Sequence, residues 1–308
     1  MNDMNQSNLR RDKLTWGPDV WNRIDQAVHD EAQRTKVAVK FLPLYMAMPE
    51  SFVVPADTVN GRPPLTVDET TITQLVELLV EFALTPQQYE RERQSGLTTA
   101  VTLVTRATNL LSQAEDLLIF QGDDGLTNPL FTSNTVVHQS GSAGTGLLNA
   151  PLGRDQIIQV PPTEDGKQEW GENTFAAVAN GYARLQGKGH YGPYALVLQT
   201  VPYADLFAPV LTNGMQVVNA LAIVADRVKP LVTAGLYGTG TLPPLTGILV
   251  SIGGNTMDRV VAVDAVTEFE QTDNRGRYLF RVYERVALRF KDTSGVIKFE
   301  FQTQKASA

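Results

Sequence analysis

The chain has 308 residues, 43% of them hydrophobic, enough for one large domain or two ordinary ones with a sizeable core. It carries 26 Lys and Arg against 33 Asp and Glu, a formal net charge of −7, the wrong sign for a chain that neutralises nucleic acid. It has no cysteine, which excludes disulfides, thiolate catalysis and cysteine-ligated metals.

No apolar run reaches the ~20 residues of a bilayer span. The N-terminus MNDMNQSNLRRDKLTWGPD lacks the apolar centre of a secretory signal, so a cytoplasmic protein with no membrane partner is expected. Residues 1–12 read as a loose polar tail. Residues 15–39 predict a helix, with Trp21, Ile24, Ala27 and Val28 on one stripe. Such a stripe either packs on the core or forms the wall of a groove for a partner segment. Residues 41–64 hold Pro43, Pro49, Pro55, Pro63 and Pro64 and the turn Asn60-Gly61, and read as an extended arm.

Residues 72–84 fit a helix through Ile72, Leu75, Val76 and Leu79. They also alternate as a strand through Val76, Leu78, Val80, Phe82 and Leu84, and Glu77 and Glu81 on the opposite face favour the strand. Arm and strand together would make a two-stranded projection, which cannot bury itself and implies a neighbouring subunit. Pro86 opens a helix, and a longer spine helix covers residues 97–120, stopped by Gly122 and Gly125. Residues 122–170 are rich in Gly, Ser, Thr and Asn. Their GSAGTG segment (141–146) lacks the Lys-Ser/Thr of a phosphate loop and reads as a surface loop.

A further helix is predicted over 173–185. The stretch GPYALVLQTVPYADLF (192–207) reads as a doubly covered strand, a turn and a helix start. A turn at Thr212-Asn213-Gly214, an apolar helix over 217–228 and a glycine-rich loop over 233–244 follow. Strands are predicted at 247–251, 260–263 and 278–290. In the last, Phe280, Val282, Val286, Leu288 and Phe290 face one way and Arg281, Arg285 and Arg289 the other. Glu284 alone breaks the apolar side. The arginine row reads either as a nucleic-acid stripe or, more in keeping with its alternation, as a solvated or intersubunit face.

Nothing marks an active site. His29, His138 and His190 are far apart, with no metal-ligand spacing, and no nucleophile elbow is present. Glu115 and Asp116 are adjacent on the spine helix and diverge by ~100°, so they are expected to cap or to pair with arginine rather than to act together.

Five stretches in order resemble encapsulins, the nanocompartment shell proteins. They are Leu14-Thr15 with Trp21, Ile24-Asp25 and Lys40-Phe41; residues 77–84 with Tyr89 and Glu90-Arg91; Ala114-Glu115-Asp116 with Ile119-Phe120-Gln121-Gly122; Gly192-Pro193-Tyr194-Ala195-Leu196-Val197-Leu198; and Leu249-Val250-Ser251 with the arginine-bearing strand. The resemblance implies an α+β, phage major-capsid-like fold of the Hong Kong 97 type. Residues 1–45 would be the N-terminal arm and lumenal helix and 46–84 the extended E-loop. Residues 85–122 with 236–308 would be the peripheral domain, and 123–235 the axial domain.

It implies a shell subunit, not an enzyme, with no cofactor. Its partners would be itself, in sixty copies or a multiple, and a cargo enzyme such as a ferritin-like protein or a dye-decolourising peroxidase. Trp21, Ile24, Val28 and Phe41 would contact the cargo's targeting peptide. Thr212, Asn213, Gly214 and Met215 would form the five-fold pore loop, and Val76, Leu78, Val80 and Phe82 the E-loop's intersubunit strand. The alternative on the same fold is a phage or prophage capsid protein packaging DNA. Some phage capsids weld this loop by a lysine–asparagine bond. No lysine lies between Lys40 and Lys167, so this loop must hold by burial alone.

Overall fold

A computed structural model describes residues 9–60, 64–95, 98–150, 152–163, 169–208, 216–217, 221, 228–232, 245–253 and 255–302. Two five-stranded sheets organise it. The first has the order β1 (Leu44–Met46), β12 (Met257–Thr272), β13 (Tyr278–Phe290), β6 (Val76–Leu84), β7 (Val137–Ser140). The strict alternation of β13 does what the sequence predicts. Phe280 and Val282 pack beneath helix α1 (Pro18–Thr35) and the spine helix, and the arginines take the opposite face. The spine is α3 (Thr99–Gln121), which follows α2 (Pro86–Ser95). Ala100, Val104, Ala107, Leu111, Ala114 and Leu118 of α3 are buried against this sheet. Strand β12 is four times the length its sequence suggested. Register shifts between Val261 and Val263, between Val263 and Val266 and between Phe269 and Gln271 break its period of two, so the alternation that would reveal it restarts three times.

The expectation for Val76, Leu78, Val80 and Phe82 is corrected. Their strand, β6, pairs within its own chain, with β13 along its whole length and with β7 on the other edge at residues 77–79. Val76, Leu78 and Val80 are buried and Phe82 is packed on the same core, under α3. Strand β13, far away in sequence, supplies the partner that a projecting arm would have needed from a neighbour. The arm itself is shorter. It runs to Gln74 as two small ribbons, β2 (Val53–Pro55) with β5 (Ile72–Gln74) and β3 (Thr58–Asn60) with β4 (Thr66–Asp68).

The second sheet has the order β10 (Val228–Val232), β9 (Tyr194–Leu198), β11 (Leu245–Ser251), β14 (Val296–Phe301), β8 (Ile157–Val160). Strand β9 is buried at every residue between β10 and β11, as its unbroken apolar run predicts. Helix α5 (Gly171–Gly187) covers the sheet, with Trp170 at its start wholly buried. Strands β11 and β14 therefore belong to this sheet and not with the peripheral residues that precede and follow them, whereas β7 belongs to the first. The division expected from sequence is redrawn at both places by ladder hydrogen bonding. Of the helix expected over 217–228, Val217 and Leu221 are described, both buried, while Val228 opens strand β10; the loop over 233–244 lies outside the described residues.

The glycine-rich segment 141–146 has a structural task. Leu147 and Leu148 donate to the Ile119 and Phe120 carbonyls, and Asp123 N–H donates to Gly144, so the loop closes the C-terminal end of α3. A Cβ on Gly146 would stand inside contact distance of the Phe120, Gln121 and Gly122 backbone. Gly146→Ala is expected to destabilise the chain by about 3 kcal/mol in denaturant unfolding. A midpoint equal to the parent's would mean the loop can retreat from the helix.

Candidate functional site

The arm is where apolar surface meets water. Ten of the thirteen large apolar side chains exposed among the described residues lie between Leu44 and Ile72; Met48 and Leu65 are each 75% accessible. Large apolar side chains this exposed and gathered in one segment of a folded chain point to an interaction surface.

The arginine row of β13 holds the root of that arm. Arg281 donates to Glu268 at 3.0 and 2.8 Å. Arg285 donates to Glu77 at 3.0 Å and to the Pro49 carbonyl at 2.9 Å, and lies 4.0 Å over the Phe52 ring. Arg289 donates to both Asp258 oxygens at 2.8 and 2.7 Å, reaches Asp57 and the Pro55 carbonyl, and lies 4.2 Å over Tyr45. Every arginine of the row thus faces a carboxylate of the sheet or the arm. The row clamps residues 45–57 to the sheet and presents no free cationic stripe for nucleic acid.

The stripe of α1 points inward. Trp21, Ile24 and Val28 are 3, 1 and 2% accessible, and Phe41, 7% accessible, sits in a different core cluster with Phe120. Trp21, Ile24 and Phe41 present no contact face, which corrects that expectation for those three: the core of the same chain covers them. Only Val28 reaches an open cavity, of about 340 Å3, between α1 and β12. Its walls include Ala32, Val39, Leu42, Leu44 and Val266, with Lys36 and Arg259 also lining it and Asp25 and Asp264 among its acidic residues. The expected tail is also partly fixed: Arg11 is buried, donating to Asp25 at 2.8 and 2.6 Å and to the Thr267 carbonyl.

Behind this cavity lies a buried ionic cluster. Lys36 Nζ is 2.5 Å from Glu115 and contacts Glu284. Arg259 grips Glu115 with both sides of its guanidinium, Nη2 at 3.1 Å from Oε2. Burial alone would raise the Glu115 carboxyl, but Arg259 and Lys36 outweigh it and hold it at about 2. Glu284 goes the other way: burial first, then the Glu115 charge, push it up to about 8. Burial works against the Lys36 ammonium, yet Glu115 and Glu284 raise it above its ordinary value. Asp116, on the next face of the spine, accepts N–H bonds from Val37 at 2.9 Å and Ala38 at 3.0 Å, and burial pushes it up to about 7.

The adjacent carboxylates therefore take the two roles the helix geometry allows, one pairing with arginine and one capping a turn. Sequence reading missed Lys36 and Arg259. Its one clue was Glu284, the single break in the apolar face of β13. The pore-loop candidates Thr212, Asn213, Gly214 and Met215 lie outside the described residues. Among the described residues no group of His, Asp or Glu could hold a metal ion, and no helix is long and apolar enough to cross a membrane.

A family model described as an encapsulating protein for peroxidase matches residues 4–143 and 145–287. The type 1 encapsulin shell protein EncA of Myxococcus xanthus (strain DK1622) is 26% identical over 297 residues, covering 91% of this chain and 92% of that protein. Among solved structures, a virus-like particle from Pyrococcus furiosus superposes with a TM-score of 0.65 at 15% identity, over 91% of this chain and 99% of that one. The capsid of Myoviridae phage XM1 superposes with a TM-score of 0.55 at 14% identity, over 81% and 83%. These two likenesses give the fold, the tailed-phage capsid fold that the two sheets, spine helix and arm already describe. Since the family model takes in nearly the whole chain, the chain belongs to the encapsulating shell proteins, the encapsulins.

Proposed function

We propose that this chain is the structural subunit of an icosahedral nanocompartment, built of sixty copies or a multiple, that takes up a cargo enzyme in the cytoplasm. The exposed apolar arm carries the reading: seven large apolar side chains exposed between Met48 and Ile72, beyond the sheet strand β1, need another copy to cover them. The cavity between α1 and β12 is the proposed seat of the cargo's targeting peptide, on the lumenal face. Val28 lines it, while Trp21 and Ile24 shape it from beneath by fixing α1 rather than by touching the peptide. The cargo is a ferritin-like protein or a dye-decolourising peroxidase, and Thr212, Asn213, Gly214 and Met215 would frame the five-fold pore. A DNA-packaging capsid shares this fold, but the paired arginine row and the net charge of −7 speak against it.

Expression of the chain alone, followed by electron microscopy, tests assembly. Closed shells without nucleic acid are expected; a monomer, or shells that purify full of DNA, would overturn the reading. For the groove, Val39→Asp or Val266→Asp places a charge on its partly exposed wall. Shells should still form while a co-expressed fluorescent protein bearing the cargo's C-terminal peptide is left outside. Undiminished loading in both variants would remove the groove from the proposal. Substitution of Trp21 or Ile24 would not serve, since both lie in the core.

A further inference from the structure

We propose that Trp16, Tyr89 and Tyr278 form a relay for oxidising equivalents, in which an electron hole placed on Trp16 passes through Tyr89 and ends on Tyr278. Five rings stack in near-parallel, offset fashion without a break: Phe82, Phe280, Trp16, Tyr89, Tyr278. Successive centroids are 5.2, 5.3, 5.0 and 4.1 Å apart, and successive planes lie within 18° of parallel. Offset stacking is an ordinary aromatic contact, and edge contacts at Phe269 and Trp21 flank the column. The three easily oxidised rings are consecutive, at one end of the column.

The surroundings give the column a direction. Phe280 and Phe82 are far harder to oxidise than indole or phenol, so that end is closed. Trp21 stands edge-on to Trp16 at 5.2 Å, but the Arg11 guanidinium lies 4.5 Å from its centroid. A hole on Trp21 would set two positive charges against each other in a buried site, which keeps the hole on Trp16. The Trp16 indole N–H is buried with no hydrogen-bond partner among the described residues. An unpaired buried donor calls for a reason. Here it means that the Trp16 radical cation has no base to take its proton, so it stays a strong oxidant.

The Tyr89 hydroxyl lies 3.0 Å from the Thr15 hydroxyl and accepts the Thr15 N–H at 2.9 Å. A threonine hydroxyl is too weak a base to trap the proton there. Tyr278 is partly exposed, so its phenolic proton can leave to solvent. The balance is one electron: the oxidant gains it from Trp16, and Tyr278 refills Trp16 through Tyr89. Tyr278 releases H+ and becomes a neutral tyrosyl radical, and an ascorbate-class reductant in solution returns one electron and one proton. The relay's geometry stands without the assembly proposed above, but its natural oxidant rests on the proposed peroxidase cargo. A peroxidase-type ferryl haem is the class of oxidant that would load it.

The absence of cysteine permits a clean test. Asn22→Cys, exposed on α1 beside Trp21, carries a ruthenium tris-bipyridyl label, which is photo-oxidised by flash and quench. Radicals are followed by transient absorption and electron paramagnetic resonance. A tyrosyl radical is expected in the labelled parent, lost in Tyr278→Phe and lost or strongly slowed in Trp16→Phe. Thermal unfolding checks that each variant folds. If Trp16→Phe does not, Tyr89→Phe keeps the ring and breaks the middle step. A tyrosyl signal that survives Tyr278→Phe, a rate unchanged by Tyr89→Phe, or a parent radical that decays on tryptophan without reaching tyrosine would each overturn the relay.

Discussion

Leu65→Asp combined with Val67→Asp is expected to abolish shells while leaving the fold of the subunit intact. Both side chains are more than half exposed on the single chain, and exposed substitutions of this kind usually change stability by no more than about 0.5 kcal/mol. In the proposed shell the same side chains are covered by the next copy. Each then loses roughly 1.5–3 kcal/mol of apolar burial, and each new carboxylate must in addition be desolvated. Because the assembly is closed and symmetric, every subunit carries the lesion at every copy of the interface. There is no lysine in the arm to restore the contact covalently. Gel filtration and electron microscopy read the assembly, and circular dichroism with thermal melting reads the subunit. Shells of parental size and yield would mean that the apolar arm is not the contact that closes the particle. An unfolded variant would mean that the arm's outer face supports its own chain.

The arm was legible because proline and alternation are local signals. Five prolines exclude a long helix or a central strand across residues 41–64, where the described residues form only the three-residue strands β1, β2 and β3. What surrounds the arm was not legible. The apolar side of β6 looked the same whether its partner was β13 of the same chain or a strand of another, since alternation reports burial and not the identity of the neighbour. The stripe of α1 misled in the same way: Trp21, Ile24 and Val28 are apolar because they are buried, which by itself says nothing about a cargo. Strand β12 was lost to its own bulges. The partnership of Arg259 with Glu115 spans 144 residues, and that of Lys36 with Glu284 spans 248, beyond any spacing rule.

That ionic cluster carries the other large effect. Glu115→Ala is expected to cost about 3–5 kcal/mol, because it leaves Lys36 and Arg259 buried without their shared anion. Glu284→Gln is expected to act in the opposite sense, and only above mid-range pH. The Glu284 carboxyl lies at about 8 in the fold against an ordinary 4.5. Between those values the unfolded chain releases the proton and the folded chain keeps it, so the parent loses stability as pH rises through that window. Glutamine offers a neutral group of the same size and has no proton to hold.

The variant and the parent should therefore melt alike near pH 5, and the variant should melt higher at pH 8. Asp116, raised to about 7 from 3.8, adds a loss of the same sign in both proteins, so the variant keeps part of the slope. Glu115, held at about 2 from 4.5, contributes stability that is lost only as pH falls below its ordinary value, outside this range. Melting the unassembled Leu65→Asp/Val67→Asp chain, with and without Glu284→Gln, keeps shell contacts out of the measurement. Parallel pH profiles would show Glu284 ionised in the fold. A variant less stable than its parent at pH 8 would show that the carboxylate charge is what holds Lys36 in place.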